Sequence, residues 1–273
     1  MSLPIADLDT AARLLRRGRS QPPTPIGLLP DHLQPRHIDH AMAIQEVLHR
    51  QLTQAGHGQL VGTKIGCTTP VMQEFLGIEH PCAGGIFDST VRQRDGLFDF
   101  DSFVHVGVEC EIAVRLGTAL CADDAPHTRT SVSHAVAALF AAIEIVDDRY
   151  VDFTRRIPDG RTWVADDFFG AGAVLGEAIS DWRRLDLPQI EGVMTINGRE
   201  VGRGLGRDII RGHPLEALVW LANEAARRGH DLPADWIVLL GSVVQTKWVA
   251  EGDTVDVEIA GLGGARARFQ APD

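Results

Sequence analysis

The pattern of hydrophobic and polar positions divides the chain into a helical beginning and a longer part rich in short strands. Leucine and alanine recur at helical spacing across residues 5–17, and a second helical pattern runs from Pro35 to Gly56. From residue 60 the pattern changes to short apolar runs separated by glycine and polar turn residues, which is typical of strands. We therefore expect an N-terminal helical segment, residues 1–58, and one strand-rich catalytic domain, residues 59–273.

Three patterns in the second half of the chain predict further elements. The alanine-rich stretch 131–142 predicts a helix that leads into the strand-like run IEIV. Asn197-Gly198 lies between two alternating runs and predicts a β-hairpin with a type I′ turn. Residues 213–229 predict an amphipathic helix. C-terminal strands are expected at residues 236–240, 246–249 and 254–259. Short strands with few helical crossovers indicate an α+β fold with a rolled or sandwiched, mostly antiparallel sheet.

Composition narrows the class of protein. The 273 residues are 44% hydrophobic and carry a formal net charge of -11, which indicates a soluble globular protein and argues against binding to nucleic acid. The first twenty residues lack the apolar run of a signal peptide, and no stretch is long enough to span a bilayer, so we expect a cytoplasmic protein without membrane contact. The four cysteines show no zinc-site spacing and fit reduced, packed thiols.

Two acids are placed unusually within an apolar strand pattern, VGVECEIAVRLG, at residues 106–117. Because side chains alternate along a strand, Glu109 and Glu111 share one face, about 7 Å apart. A third acid, Glu144, lies in the apolar run AAIEIV. Carboxylates without histidine or cysteine partners are the ligands of hard cations such as Mg²⁺ or Mn²⁺. The alternative, that the pair lies on an exposed sheet face, stays open from the sequence alone.

The chemistry of such a site would suit a 2-oxo acid. Three protein oxygens leave about three positions on Mg²⁺ for water and a bidentate substrate, which a 2-oxo acid can supply. The bound metal would act as a Lewis acid on the carbonyl. Of the 26 basic residues only Lys64 and Lys247 are lysines, and Lys64 in its glycine-rich surroundings is a candidate for proton transfer, although a bias in base composition would also make lysine rare. No sequence pattern indicates a nucleotide cofactor.

Six stretches of sequence, taken in their order along the chain, together resemble a known family, the 2-keto-4-pentenoate hydratase branch of the fumarylacetoacetate hydrolase family. The blocks are GTKIGCTTPVMQEFLGIEHPCAGGIF, GVECEIAVRLG, AAIEIVDDRYVD, VADDFFGAGAVLG, GHPLEALVWLANEAARRG and IVLLGSVVQTKWVAEGDTVDVEIAGLG. The resemblance implies a rolled mixed β-sandwich, a divalent metal (Mg²⁺ or Mn²⁺), and action on small 2-oxo or 2-hydroxydienoate acids from aromatic-ring breakdown. It also implies a homo-oligomer.

The resemblance assigns roles to particular residues. Glu109 and Glu111 match the metal ligands, Glu144 matches the third ligand with Asp147 in reserve, and Lys64 matches the catalytic lysine. Residues expected to contact the substrate are Gln73, Arg149, Asp167, Thr246 and Lys247. For Arg149, a local ion-pair cluster with its neighbouring aspartates is the alternative.

The implied activity is addition of water to 2-hydroxypenta-2,4-dienoate, a lyase reaction. Decarboxylation of 2-oxo-3-hexenedioate is the alternative, because the same ligand set serves both. Hydrolysis of a C–C bond in an acylpyruvate ranks third and would need Glu46 beside His32, His37 or His40 to activate water. A non-catalytic subunit in a complex of hydratase and sister decarboxylase is the remaining possibility.

The chain departs from the family pattern at two places. Cys82 stands where an acid usually follows the proline, and Asp166-Asp167-Phe168-Phe169-Gly170 replaces a motif of the form A-D-N-x-S-x-G. If the two phenylalanines face inward, they make the wall of the pocket bulkier and less polar. The departures are therefore expected to affect which group the site accepts at the far end of the substrate more than they affect metal binding.

Overall fold

The computed structural model describes residues 4–69, 72–74 and 77–271. The α-helices described from end to end are α1 (Ile5–Arg16), α2 (Ile38–Gln54), α3 (Arg129–Ala135), α4 (Gly160–Ala165) and α5 (Pro214–Arg227). The strands are β1 (Leu60–Gly66), β2 (Cys82–Phe87), β3 (Val91–Gln93), β4 (Asp95–Asp99), β5 (Val106–Leu116), β6 (Val136–Asp147), β7 (Gly170–Leu175), β8 (Glu191–Ile196), β9 (Arg199–Leu205), β10 (Ile237–Trp248), β11 (Thr254–Ile259) and β12 (Gly263–Gln270).

These strands form two mixed sheets. The larger has seven strands in the order β2-β1-β10-β5-β6-β7-β3, and the smaller has five in the order β4-β12-β11-β8-β9. Most neighbours are antiparallel, whereas β1 with β10, β3 with β7 and β4 with β12 are parallel. The two mixed sheets with N-terminal helices confirm the predicted α+β sandwich.

The larger sheet is rolled, so that β2 at one end approaches the loop that precedes β7 near the other. The backbone N–H of Gly85 donates to Asp167 Oδ1 at 2.9 Å. Glycine permits this approach, because a Cβ on Gly84 would lie 2.3 Å from the carbonyl oxygen of Asp167. The roll thereby brings β1, β2 and the loop after α4 together over one face of the sheet.

The main hydrophobic core lies on the opposite face. Val108, Cys110 and Ile112 of β5 are fully buried in it, together with side chains of the smaller sheet and of α5. An aliphatic side chain such as Val108 or Ile112 contributes about 2 kcal/mol when it is removed from water. The intervening residues of β5, Glu109 and Glu111, therefore point to the other face, as the strand alternation predicts.

A second core lies beneath α1 and α2 and is shared with α4. It contains Leu15, Leu48 and Trp163, all fully buried. The proposed division of the chain at residue 58 stays a prediction. Within the described ranges, no helix combines the length and the apolarity needed to cross a bilayer.

The expected helix over 131–142 is wrong in its second half. The chain is helical only to Ala135, and β6 begins at Val136. Alanine favours helices in isolation, but β6 pairs with β5 on one side and β7 on the other, and small side chains fit a strand covered on both faces. In the same way, the first two expected C-terminal strands are one continuous strand, β10.

The predicted hairpin and the last helix are observed. Residues Asn197 and Gly198 have φ values of 51° and 76°, as a type I′ turn requires, and they join β8 to β9. Helix α5 begins after His213, whose Nδ1 accepts a hydrogen bond from the Leu215 N–H at 3.1 Å.

Candidate metal and substrate site

Three carboxylates meet on the inner face of the rolled sheet. Glu109 of β5 is directly opposite Glu144 of β6, and Glu111 lies two residues further along the same face. One oxygen of each lies within 4.8 Å of the others. Because Glu111 is fully buried and Glu109 is half-buried, the alternative of an exposed sheet face is excluded.

Strand β10 holds two of these carboxylates from its own side. The hydroxyl of Thr246 donates to Glu109 Oε1, and the backbone N–H of Gly241 donates to Glu111 Oε2 at 2.9 Å. The second contact occurs where β10 departs from regular pairing and Gly241 has a φ of +113°. This irregularity turns a backbone N–H toward the carboxylate.

The remaining oxygens of the cluster are poorly satisfied. Glu111 Oε1 and both oxygens of Glu144 are buried without a hydrogen-bond partner among the described residues. Buried polar atoms are normally hydrogen-bonded, so such atoms require an explanation. Because one oxygen of each carboxylate lies within 4.8 Å of the others, a cation bound between them would satisfy these atoms.

Lys64 of β1 is the cationic neighbour of the cluster. Its Nζ forms an ion pair with Glu144 Oε1 at 2.9 Å, and the side chain is buried. Burial lowers the pKa of Lys64, but the charges of Glu144 and Glu109 more than offset this, so the net pKa is raised. The group is therefore an ammonium in the metal-free chain.

One ammonium does not balance three carboxylates. Burial, and then the charge of Glu144, raises the pKa of Glu109 from 4.5 to about 7. Burial and the charges of both neighbours raise the pKa of Glu111 well above its ordinary value. A divalent cation would favour the ionised forms and fill the space between the unsatisfied oxygens, so the residues present fit such a metal.

Asp147, the reserve candidate for the third ligand, is engaged elsewhere. Its Oδ1 accepts the backbone N–H groups of Val104 and His105 at 3.1 and 2.8 Å, and its Oδ2 lies 3.8 Å from Arg149. The structure thus brings Glu144, and not Asp147, into the carboxylate cluster.

The five residues expected to contact substrate occupy different places. Thr246 touches Glu109, whereas Lys247, the next residue on β10, reaches toward Gly202 in the smaller sheet. Gln73 donates from Nε2 to the carbonyl of Cys67 at 3.1 Å, which places the Gln73 side chain beside the end of β1.

Arg149 and Asp167 belong to a buried ion-pair network. Arg149 Nε lies 3.1 Å from Asp166 Oδ2, and Arg19 pairs with Asp166 as well. His49 Nε2 lies 2.5 Å from Asp167 Oδ1. Burial raises the pKa of Asp167, but His49 and Arg19 together hold it well below its usual range. The network borders a cavity of about 180 Å³.

Sequence reasoning missed Arg19 and His49. Arg19 pairs with an aspartate 147 positions away, and nothing in its local sequence distinguishes it from the other arginines. Glu46, considered above as part of a water-activating pair, lies against Arg228 and 3.2 Å from His230.

The two departures from the family motif lie close to Lys64. The ring of Phe168 is centred 5.0 Å from Lys64 Nζ, so this phenylalanine faces inward. Phe169 packs instead among aromatic rings of the second core, including Trp163 at 5.6 Å between centroids. Cys82 is buried, and its thiol donates to the carbonyl oxygen of His80 at 3.8 Å; burial raises the pKa of this thiol well above the ordinary value.

Comparisons with known proteins agree with this geometry. Residues 85–270 match the family model described as fumarylacetoacetate (FAA) hydrolase C-terminal. The chain is 37% identical over 229 residues to a 2-keto-4-pentenoate hydratase from Paraburkholderia phymatum, covering 84% of this chain and 85% of that protein. It is 36% identical over 232 residues to the TodF product hydratase of Pseudomonas putida, covering 85% and 84%.

One solved structure is similar over almost the whole length. It is a 4-oxalocrotonate decarboxylase from Pseudomonas putida G7, complexed with magnesium and adipate. The TM-score is 0.89 at 27% sequence identity, covering 98% of this chain and 99% of that one.

Proposed function

The chain belongs to the fumarylacetoacetate hydrolase family, and from that premise we propose that it is a divalent-metal-dependent lyase that adds water to 2-hydroxypenta-2,4-dienoate or a close relative. Two relatives named as hydratases share 36% and 37% identity with it over more than four-fifths of the chain. The small organic acid acted on by those relatives is the substrate class we assign to this chain.

The observation that carries the proposal is the carboxylate cluster with its unsatisfied oxygens. Glu109, Glu111 and Glu144 would hold the metal, Mg²⁺ or Mn²⁺. A metal bound there supplies Lewis acidity to the carbonyl end of a 2-oxo acid. Thr246 and Gly241 fix two of the carboxylates in place by hydrogen bonds, so that the ligands need little rearrangement.

Lys64 is the group we assign to proton transfer. It holds a proton at Nζ, and that atom lies beside Glu144 at the edge of the cluster. In the proposed reaction, Lys64 delivers a proton to the terminal carbon of the dienoate while the 2-hydroxyl group gives up its own proton, which restores the Lys64 ammonium; the product is 2-oxo-3-pentenoate. Water then adds at C4 and yields 4-hydroxy-2-oxopentanoate. The buried position of Lys64 keeps bulk water from competing for this proton.

Decarboxylation of 2-oxo-3-hexenedioate is the second candidate. The observation that favours it is the TM-score of 0.89 with the decarboxylase from Pseudomonas putida G7. The same three carboxylates and Lys64 serve this reaction, in which CO2 leaves and the electron pair moves toward the 2-oxo group.

Other possibilities rank lower. Hydrolysis of a C–C bond is third, because Glu46 is engaged by Arg228 and His230. A purely structural subunit would have no use for buried carboxylate oxygens without partners, which are costly to fold. The homo-oligomer, the complex with a sister enzyme and the cytoplasmic location stay predictions.

A direct assay tests the proposal. Loss of ultraviolet absorbance from 2-hydroxypenta-2,4-dienoate and from 2-oxo-3-hexenedioate is followed with Mg²⁺, with Mn²⁺ and with excess EDTA, and the products are identified by mass. Formation of 4-hydroxy-2-oxopentanoate that stops in EDTA supports the hydratase. Release of CO2 from the second substrate as the faster reaction would replace it with the decarboxylase.

Two glutamine variants show whether the cluster is responsible. Glu111→Gln should abolish turnover, whereas Glu200→Gln, a matched change of an exposed glutamate paired with Arg203, should leave it unchanged. Full activity of the Glu111→Gln variant, or activity unaffected by EDTA, would contradict the proposal.

A further inference from the structure

Three consecutive residues beside Lys64 adopt a conformation that L-amino acids avoid. Asp167, Phe168 and Phe169 have φ values of 63°, 45° and 66°, all in the left-handed region. Non-glycine residues visit this region singly and seldom in succession, so the surrounding structure must hold the turn in place.

The anchors of this turn are visible on both sides. The Asp167 carboxylate accepts the N–H of Gly85 and contacts His49 and Arg19, at 2.9, 2.5 and 3.4 Å. The backbone N–H of Phe168 donates to the carbonyl of Trp163 at 2.7 Å. The carbonyl of Phe169 accepts from Asp147 at 2.8 Å. These contacts fix the direction in which the Phe168 side chain points.

The result of this arrangement is an aromatic wall against Lys64. A Cβ on Gly66 would lie 2.6 Å from the Phe168 ring, so the ring fills the space directly over the end of β1. On its other side the ring borders the ammonium, 5.0 Å away, which in turn pairs with Glu144. Phe168 therefore bounds the space next to the carboxylate cluster.

Three cations of the described residues lie around this turn and already pair with carboxylates, and one of them is Lys64, which pairs with Glu144. Arg19 and Arg149 both pair with Asp166. A second carboxylate placed against Phe168 would lose its water and meet the face of a ring and an ammonium that already pairs with Glu144.

We propose that Phe168 is a specificity-determining residue that selects 2-oxo acids with an uncharged, apolar tail and rejects those with a second carboxylate. This inference rests on the proposed function, because it takes the carboxylate cluster as the place where the 2-oxo acid end is bound. It makes a monocarboxylate the preferred substrate and so separates the hydratase reaction from the decarboxylase reaction.

Two inert ligands of equal chain length isolate the effect. The probes are 2-oxohexanoate and 2-oxohexanedioate, which differ only in a terminal methyl against a terminal carboxylate. Their Kd values are measured by calorimetry in saturating Mg²⁺ for the wild-type chain and for three variants. Binding of an unreactive ligand gives a result even if the chain turns over neither dienoate substrate.

The variants distinguish a wall from a packing role. We expect the wild-type chain to bind 2-oxohexanoate at least about tenfold more tightly, the usual effect of one ill-matched group in an apolar pocket. Phe168→Ser should reduce the ratio of the two Kd values by about tenfold, because removal of the ring lets the terminal carboxylate reach the Lys64 ammonium and water. Phe168→Leu keeps an apolar wall and should keep the ratio. Phe169→Ser, which disturbs the neighbouring aromatic packing, should weaken stability without changing the ratio.

Each remaining outcome has a definite meaning. Equal Kd values in the wild-type chain, or an equal change of the ratio in Phe168→Ser and Phe169→Ser, would overturn the assignment of Phe168 and leave the proposed function standing. Selective binding of 2-oxohexanoate without turnover of the dienoate would overturn the proposed function and leave the selectivity of Phe168 standing. No binding of either ligand in Mg²⁺ would overturn both.

Discussion

Replacing Glu109 by glutamine should stabilise the metal-free protein while destroying its response to metal. The pKa of Glu109 is raised from 4.5 to about 7, first by burial and then by the charge of Glu144. A carboxyl whose pKa is raised on folding favours the folded chain while it is protonated. Its contribution is therefore full below pH 4.5, falls as the pH rises to about 7, and is lost above that value.

The size of the effect follows from the same values. A rise from 4.5 to about 7 corresponds to about 3 kcal/mol of unfolding free energy lost at pH 8. Glutamine removes this cost and keeps an oxygen that can accept from Thr246, and Lys64 keeps its pairing with Glu144. We expect Glu109→Gln to raise the free energy of unfolding in EDTA by about 2–3 kcal/mol at pH 8 and by much less at pH 5.

Addition of metal should remove most of this difference in stability. At a Mg²⁺ concentration of about 100 times its Kd, the wild-type chain gains about 2.7 kcal/mol, and the variant should lose most of this gain. Urea unfolding in EDTA and in Mg²⁺, each at pH 5 and at pH 8, measures the free energy of unfolding of the wild type and of the variant under these four conditions. The control is Glu200→Gln, an exposed change expected to stay within about 0.5 kcal/mol of wild type. A variant that is less stable than wild type in EDTA at pH 8, or that gains as much from Mg²⁺, would refute the reasoning.

Four further predictions concern the residues around the cluster. Lys64→Met should lower kcat by about 10²- to 10⁴-fold while Mg²⁺ still raises the unfolding midpoint, and an unchanged kcat would remove Lys64 from proton transfer. Mg²⁺ affinity should rise between pH 6 and pH 8, because the metal displaces protons from Glu109 and Glu111. Calorimetry in two buffers of different ionisation enthalpy would detect the released protons. A Mg²⁺ affinity that does not change over this pH range would contradict the prediction. Gly62→Ala should lower the free energy of unfolding, measured in urea, by about 2–4 kcal/mol, because its new Cβ would lie 2.1 Å from the Ile237 carbonyl oxygen. The matched control is Gly27→Ala, whose Cβ would have its nearest neighbour at 3.7 Å and which should lower that free energy by less than about 1 kcal/mol. A thiol reagent should titrate Cys121 first in the native chain, as Cys67, Cys82 and Cys110 are buried, and loss of the fast phase in Cys121→Ser would check this by absorbance.

Local patterns in the sequence were sufficient to predict the elements that build the carboxylate cluster. Alternation along β5 places Glu109 and Glu111 on one face whatever the rest of the fold, and this is what the structure has. The Asn-Gly hairpin and α5 depend on local signals in the same way, and both are observed.

What the sequence could not provide are the features set by contacts between distant segments. The stretch before Glu144 reads as helical because alanine dominates it, and only pairing with β5 and β7 makes it a strand. Arg19 reaches Asp166 because α1 and the residues after it pack over the loop that follows α4. The left-handed turn at Phe168 has no sequence signal, since it depends on Gly85, His49 and Arg19 holding Asp167.

Diffraction from crystals soaked in Mn²⁺, collected at the manganese absorption edge, tests the central claim most directly. The account predicts one strong anomalous peak within about 2.0–2.3 Å of carboxylate oxygens from Glu109, Glu111 and Glu144, and loss of that peak in Glu109→Gln. A peak held by other residues, or none at the cluster at millimolar Mn²⁺, would contradict the assignment of these three carboxylates to a metal.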